Sequence, residues 1–143
     1  MKVSTRFRYG LRAVLEIASH GGGEAVSIAR IAQTQDVSAK YLEHIIRRLL
    51  RGGLVESHMG AHGGYRLGRP AAAITLLDVM EAVGDHADVV ECVSRPETCD
   101  RSGDCATREV WCQVSEQIRA TWRGVTVADL LRRTLHDPSL SAP

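Results

Sequence analysis

From Ser38 to Leu67 the chain sets a strongly amphipathic helical pattern directly against a glycine-tipped hairpin pattern, and few folds accept both in that order. Lys40, His44, Arg47, Arg48 and Arg51 recur at i, i+4, i+7, i+8 and i+11, which aligns them along one side of a helix. Leu42, Ile45, Ile46 and Leu49 keep the same period about half a turn away, so one face can be buried while the other offers cations to an acidic partner. Ser38 is a natural N-cap and Gly52-Gly53 a natural stop. Beyond the stop, Leu54 to Met59 and Tyr65 to Leu67 read as two short strands joined by Gly60-Ala61-His62-Gly63-Gly64, a loop that demands several positive-φ residues. Helix followed by hairpin is a winged-helix signature.

The helix that a helix-turn-helix needs lies just upstream. Ser27 caps a short helix through Gln33 with Ile28, Ile31 and Ala32 on its buried side, and Thr34 to Val37 turns into the next helix. That second helix is the one expected in a major groove, its N-terminal Ser38, Lys40 and Tyr41 nearest the base edges. A basic stripe by itself is usually a solvated face; the helix before it and the hairpin after it favour nucleic acid. Charge distribution agrees. Residues 1–70 hold eleven Lys or Arg against five Asp or Glu, whereas residues 71–143 hold seven against twelve, so an overall +1 conceals halves of +6 and −5. A basic front half suits phosphate contacts and an acidic rear half suits a different task.

Punctuation divides the rest. Ser4 or Thr5 opens a helix to about Ser19 with Phe7, Leu11, Val14, Leu15 and Ala18 on one face, and Gly21-Gly22-Gly23 breaks it. Thr75 with Asp78 is a capping box for a helix ending near Gly84, which closes a winged helix-turn-helix domain over residues 1–84. Residues 85–104 are polar and read as a loop. A long helix from about Cys105 to Arg123 follows, and Thr126 with Asp129 repeats the capping pattern for a last helix over Leu130, Leu131 and Leu135. Residues 105–135 thus form a dimerisation helix and a final helix, and residues 136–143 a disordered tail. The expected fold is mostly α with a small β-hairpin wing.

With one Phe the chain is short of core for a monomer. The long helix carries Val110, Trp111, Val114, Ile118, Thr121 and Trp122 at helical spacing, so two copies can pack with Trp111, Val114, Ile118 and Trp122 in the seam, as a reader of two half-sites requires. The alternative is that Trp111 and Trp122 pack on their own chain. No long apolar run and no basic-then-apolar leader pattern are present, which points to the cytoplasm and to no membrane partner.

In a reducing compartment four cysteines read as ligands, sensors or buried thiols. Cys92, Cys99 and Cys105 are spaced C-x6-C-x5-C in the loop, and thiolates suit iron-sulfur clusters and zinc. Structural zinc sites favour C-x2-C or C-x4-C knuckles, which this loop lacks, so iron-sulfur is preferred. Cys112 lies seven residues beyond Cys105, roughly 10 Å along a helix axis, and is either a fourth ligand or a thiol near Trp111. No phosphate loop, nucleotide fingerprint or Ser-His-Asp constellation occurs. The six histidines (His20, His44, His58, His62, His86 and His136) are scattered, so neither an enzyme nor a small-molecule substrate is expected.

Arg8-Tyr9-Gly10-Leu11, Ser38, Tyr41-Leu42-Glu43, Gly52-Gly53-Leu54-Val55, Gly60 through Leu67, the cysteine trio, Trp111 and Thr126-Val127-Ala128-Asp129-Leu130 together resemble the Rrf2 family of bacterial winged-helix regulators, the group that includes IscR, NsrR and CymR. The resemblance implies a homodimeric, double-stranded-DNA-binding transcription factor, in the simplest case a repressor, whose cluster reports iron-sulfur, redox or nitric oxide status. It implies Cys92, Cys99 and Cys105 as ligands of a 2Fe-2S centre, or of a 4Fe-4S one. The fourth ligand departs from the pattern: the IscR-type His falls on Arg108 here, and an NsrR-type acidic residue of the partner's first helix falls on Arg8. Arginine is no ordinary iron ligand, which leaves Cys112, Glu109, Asp104, His86 or a small molecule. His62, Gly63, Gly64 and Tyr65 are implied at the minor groove with Arg66 near phosphate, and Glu43 at base edges. Two other readings remain: a cluster-free regulator governed by a partner protein or thiol oxidation, and a zinc-stabilised interaction module.

Overall fold

The computed structural model describes residues 3–20 and 23–136; the Gly21-Gly22 break and residues 137–143 of the expected tail lie outside them, while His136, the first residue of that tail, ends the last helix. Helices α1 (Thr5–Ser19), α2 (Ile28–Gln35) and α3 (Ala39–Arg51) precede a hairpin of β1 (Val55–His58) and β2 (Gly64–Leu67). Helices α4 (Leu76–Ala82), α5 (Ala106–Arg123) and α6 (Val127–His136) follow. The strands pair antiparallel, with Val55 opposite Leu67 and His58 opposite Gly64. The mostly helical winged fold read from the residue pattern is the one observed.

Local chemistry sets most boundaries. Ser4, Ser27 and Ser38 accept from the backbone N–H of Phe7, Arg30 and Tyr41, each satisfying a donor that the first helical turn leaves orphaned. Thr75 with Asp78 and Thr126 with Asp129 form the reciprocal pairs of two capping boxes. These two N-termini are stitched together: Leu76 N–H donates to Val125 O at 3.0 Å and Val127 N–H to Ile74 O at 2.9 Å. At the end of α3, Gly53 takes φ +66°, its N–H donates to Leu50 O and Leu54 N–H donates to Leu49 O, which is a Schellman stop that a side chain would strain.

Three details depart from expectation. α2 runs to Gln35 rather than Gln33, because Asp36 adopts φ 49° and ends the helix there, a conformation Asp tolerates better than most. The buried side of α1 is Phe7, Gly10, Ala13, Val14 and Ile17, with Leu11, Leu15 and Ala18 only half-buried. Gly10 is the reason: α1 lies so close to α4 that a Cβ there would sit 2.8 Å from Val83 Cγ1. Finally, the hairpin gains a third partner. Val26 exchanges two backbone hydrogen bonds with Tyr65, both 2.9 Å, and a Cβ on Gly64 would fall 2.4 Å from Val26 O. A single-residue bridge leaves no alternation in the sequence to read.

The core gathers Phe7, Val14 and Ile17 of α1 and Ile31 of α2 against the entire apolar face of α3. Ile74, Val79, Met80, Val83 and Val127 close it from the other side. Leu42, Ile45, Ile46 and Leu49 are each essentially inaccessible, and burying each contributes about 1.5–3 kcal/mol. That burial orients α3: its opposite face must look outward.

Candidate nucleic-acid interface and cysteine loop

Ser38, the N-cap of α3, is exposed, as are Lys40, Glu43, His44, Arg47 and Arg51 along the helix. Glu43 and Arg47 pair at 3.5 Å one turn apart on this face, so part of Arg47's charge is balanced locally. Tyr41 is half-buried and meets Tyr9 of α1 edge to face, ring centroids 6.1 Å apart, which holds its ring at the helix entrance. Arg48 behaves differently from its neighbours in the stripe. It is half-buried and its guanidinium donates to Val83 O at 3.2 Å, turned toward the end of α4.

The wing packs against α3 through β1. His62 is exposed at its tip, and Gly63, Gly64, Tyr65 and Arg66 are half-buried along the returning strand. Tyr65 is fixed through its backbone by Val26, and Arg66 has a buried Nε with no hydrogen-bond partner among the described residues. Residue spacing did not single out Met59, the exposed side chain that follows β1; its only signal is an apolar residue beside a turn glycine.

The loop between α4 and α5 is anchored at its front and free at its rear. Ser4, the N-cap of α1, and Arg6 within it both donate to the Asp85 carboxylate. Arg119 of α5 pairs with Asp88, the buried Ser115 hydroxyl accepts from Val89 N–H at 3.1 Å, and Arg108 Nε donates to Cys92 O at 3.0 Å. From Arg95 to Asp104 the hydrogen bonds are local, closing short turns such as Cys99 N–H to Pro96 O and Ser102 N–H to Cys99 O.

Cys92, Cys99, Cys105 and Cys112 are free and half-buried. Cys105 holds the N-cap position of α5, its Sγ 3.2 Å from Thr107 Oγ1. The Thr107 hydroxyl, then the backbone amides of Arg108 and Thr107, hold this thiol below the ordinary range by hydrogen-bonding the thiolate. Among the described residues no three Cys, His, Asp or Glu side chains converge as a ready metal site. The donor set nevertheless suits a soft metal centre: Cys92 sits at an anchored point, Cys105 at the start of α5, and Cys99 on the locally bonded arm between them. Of the candidates for a fourth ligand, His86, Asp104 and Glu109 are exposed and Cys112 is half-buried two turns into α5; Arg108 is engaged with Cys92 O.

On α5, Val110, Trp111 and Val114 are 50%, 38% and 36% exposed, an apolar stripe that the other described residues leave partly open. Ile118 borders it, half-buried against the core. Trp122 turns inward, its ring 5.4 Å from that of Phe7. The two tryptophans of the helix therefore differ: one packs inside, the other faces out. No helix among the described residues is long and apolar enough to cross a membrane.

Comparison with known proteins accords with this geometry. The family model described as Rrf2, iron-dependent transcriptional regulator, matches residues 3–133. The protein called rrf2 from Nitratidesulfovibrio vulgaris is 42% identical over 132 residues, covering 92% of this chain and 88% of that protein. The solved structure of CymR (YrzC), the global cysteine regulator of B. subtilis, superposes with a TM-score of 0.78 at 34% identity, covering 94% of this chain and 98% of that one. That of T. potens IscR superposes with a TM-score of 0.78 at 31% identity, covering 100% and 93%. The family is described as one of transcriptional regulators and CymR as a global regulator, a non-enzymatic role. The chain belongs to the Rrf2 family of transcriptional regulators.

Proposed function

We propose that this regulator binds operator DNA as a homodimer, acting as a repressor, and that an iron-sulfur centre in the 85–104 loop sets its affinity. One observation carries the DNA reading: Lys40, His44, Arg47 and Arg51 stand exposed on a helix whose other face is locked in the core and against which the first strand of the wing packs. On this reading α3 enters the major groove through Ser38, Lys40, Tyr41 and Glu43. His62, Gly63, Gly64 and Tyr65 of the wing approach the minor groove, and Arg66 supports phosphate contact. Arg48, held by Val83, serves chiefly to brace α3. The exposed Val110-Trp111-Val114 stripe supports pairing of two copies along α5, with Ile118 at its edge and Trp122 inside each subunit.

Cys92, Cys99 and Cys105 would hold the centre, 2Fe-2S being the form expected. When bound, such a centre supplies iron that reacts with oxidants and nitric oxide. The chain's own part is mechanical. Val83, Gly84 and Asp85, at the root of the loop, are gripped by Arg48 of α3 and Arg6 of α1, so reordering the loop acts on the two helices that place the reading head. A coupling of about 1–3 kcal/mol changes operator affinity about 5- to 150-fold.

A cluster-free regulator controlled by thiol oxidation is the second reading, favoured by the hydrogen bonds that stabilise the Cys105 thiolate. Anaerobic isolation with absorbance, iron and sulfide assays separates the two. Visible absorbance with stoichiometric iron and sulfide, lost in Cys92→Ala, Cys99→Ala and Cys105→Ala, is the expected result. Colourless, iron-free protein that binds DNA in an oxidant-dependent way selects the second reading, and equimolar zinc without colour selects a zinc-stabilised module.

A further inference from the structure

Building on the operator-binding reading above, we infer that Met59 is an apolar wedge at the wing tip that inserts between base steps in the minor groove of duplex DNA. Met59 is 89% exposed, the most exposed large hydrophobic side chain among the described residues. It follows His58, the last residue of β1 paired with β2, and precedes a turn closed by the Gly63 N–H donating to Gly60 O at 2.9 Å. The backbone on both sides is thus held, and the side chain is the part free to enter something.

The surroundings choose the partner. Met59 lines a hollow together with His58, His62 and Arg66 and one acidic residue, Glu24. The remaining large exposed hydrophobics, Val3, Val90, Val110, Trp111 and Val114, lie outside the wing. A protein or lipid surface would call for a contiguous apolar area, which one methionine does not make. A duplex offers phosphates on the outside and an apolar stack between base pairs, which matches a single apolar tip flanked by potential cations. Methionine is unbranched and polarisable, so it fits an irregular gap, and flexible pyrimidine-purine steps open most readily for such a wedge.

The test uses the full chain and duplexes chosen by the wild-type protein from a randomised library. Met59→Ala should bind these duplexes about tenfold more weakly, the factor expected when most of a buried methionine is lost. It should also lose the preference for pyrimidine-purine steps at wing-facing positions and reduce the end-to-end bend read by energy transfer. Met59→Leu should restore all three, and thermal midpoints should match wild type because the side chain has no core contact. If Met59→Ala keeps affinity, step preference and bend, the wedge is wrong and operator binding stands. If the wild-type protein selects no duplex at all, operator binding itself fails and the wedge falls with it.

Discussion

The guanidinium of Arg48, in the basic stripe of α3, donates to the carbonyl of Val83 at 3.2 Å, and Arg6 of α1 reaches the next carbonyl, that of Gly84, at 3.1 Å. Two cations thereby satisfy carbonyls that the end of α4 leaves without helical partners. The same contacts root the cysteine loop in the helices of the DNA-binding half.

Arg48→Ala should therefore lower stability by about 1–2 kcal/mol, the lower part of the range for removing a half-buried charged donor from a buried acceptor. Urea unfolding followed by far-ultraviolet circular dichroism reads it. A midpoint identical to wild type would mean that the contact carries no stability.

Arg47→Ala and Lys40→Ala should do the opposite. Both residues are exposed, so unfolding should be unchanged, while each substitution should reduce the slope of log affinity against log salt by roughly one. Because Glu43 partly balances Arg47, the Lys40 variant should show the cleaner effect. Titrations on one duplex at several salt concentrations check this, and unaltered slopes would move the phosphate contacts elsewhere.

Trp111 and Trp122 should separate by readout. Trp111→Glu should shift sedimentation toward the monomer, because it places a charge in the uncovered stripe. Trp122→Ala should instead reduce subunit stability by about 2 kcal/mol through loss of the contact with Phe7. Equal sedimentation of Trp111→Glu and wild type would exclude α5 as the seam.

Cys105 has a folded-state thiol pKa held below its ordinary value, first by the Thr107 hydroxyl and then by backbone amides. Its thiolate is therefore populated at a lower pH than in the unfolded chain. The group's contribution to the fold is fully present above the unfolded-chain value and disappears as pH falls through the folded value. With Cys92, Cys99 and Cys112 replaced by Ala, the iodoacetamide rate profile of Cys105 should move to higher pH when Thr107→Val is added. A profile indifferent to Thr107 would leave the thiol unassisted.

What the chain decides locally was legible in it. Caps at Ser4, Ser27, Ser38, Thr75 and Thr126, the α3 stop at Gly52-Gly53, and the separation of α3 into cationic and apolar faces follow from hydrogen-bonding groups and periodicities within a few residues. The cysteine spacing was equally plain, whereas the anchoring of Cys92 by Arg108 across 16 positions was not. Nor did local pattern tell Arg48 from Arg47, or Trp111 from Trp122: each pair has like side chains at helix positions of similar character, and only the neighbour packed alongside separates them. Val83 claims Arg48 and Phe7 claims Trp122. Val26 joined the wing through main-chain groups that every residue possesses, so no side chain could announce it. Elements and faces came from short-range chemistry; which member of each repeated set serves structure and which remains for a partner came from long-range contact, because that choice depends on groups far away in the chain.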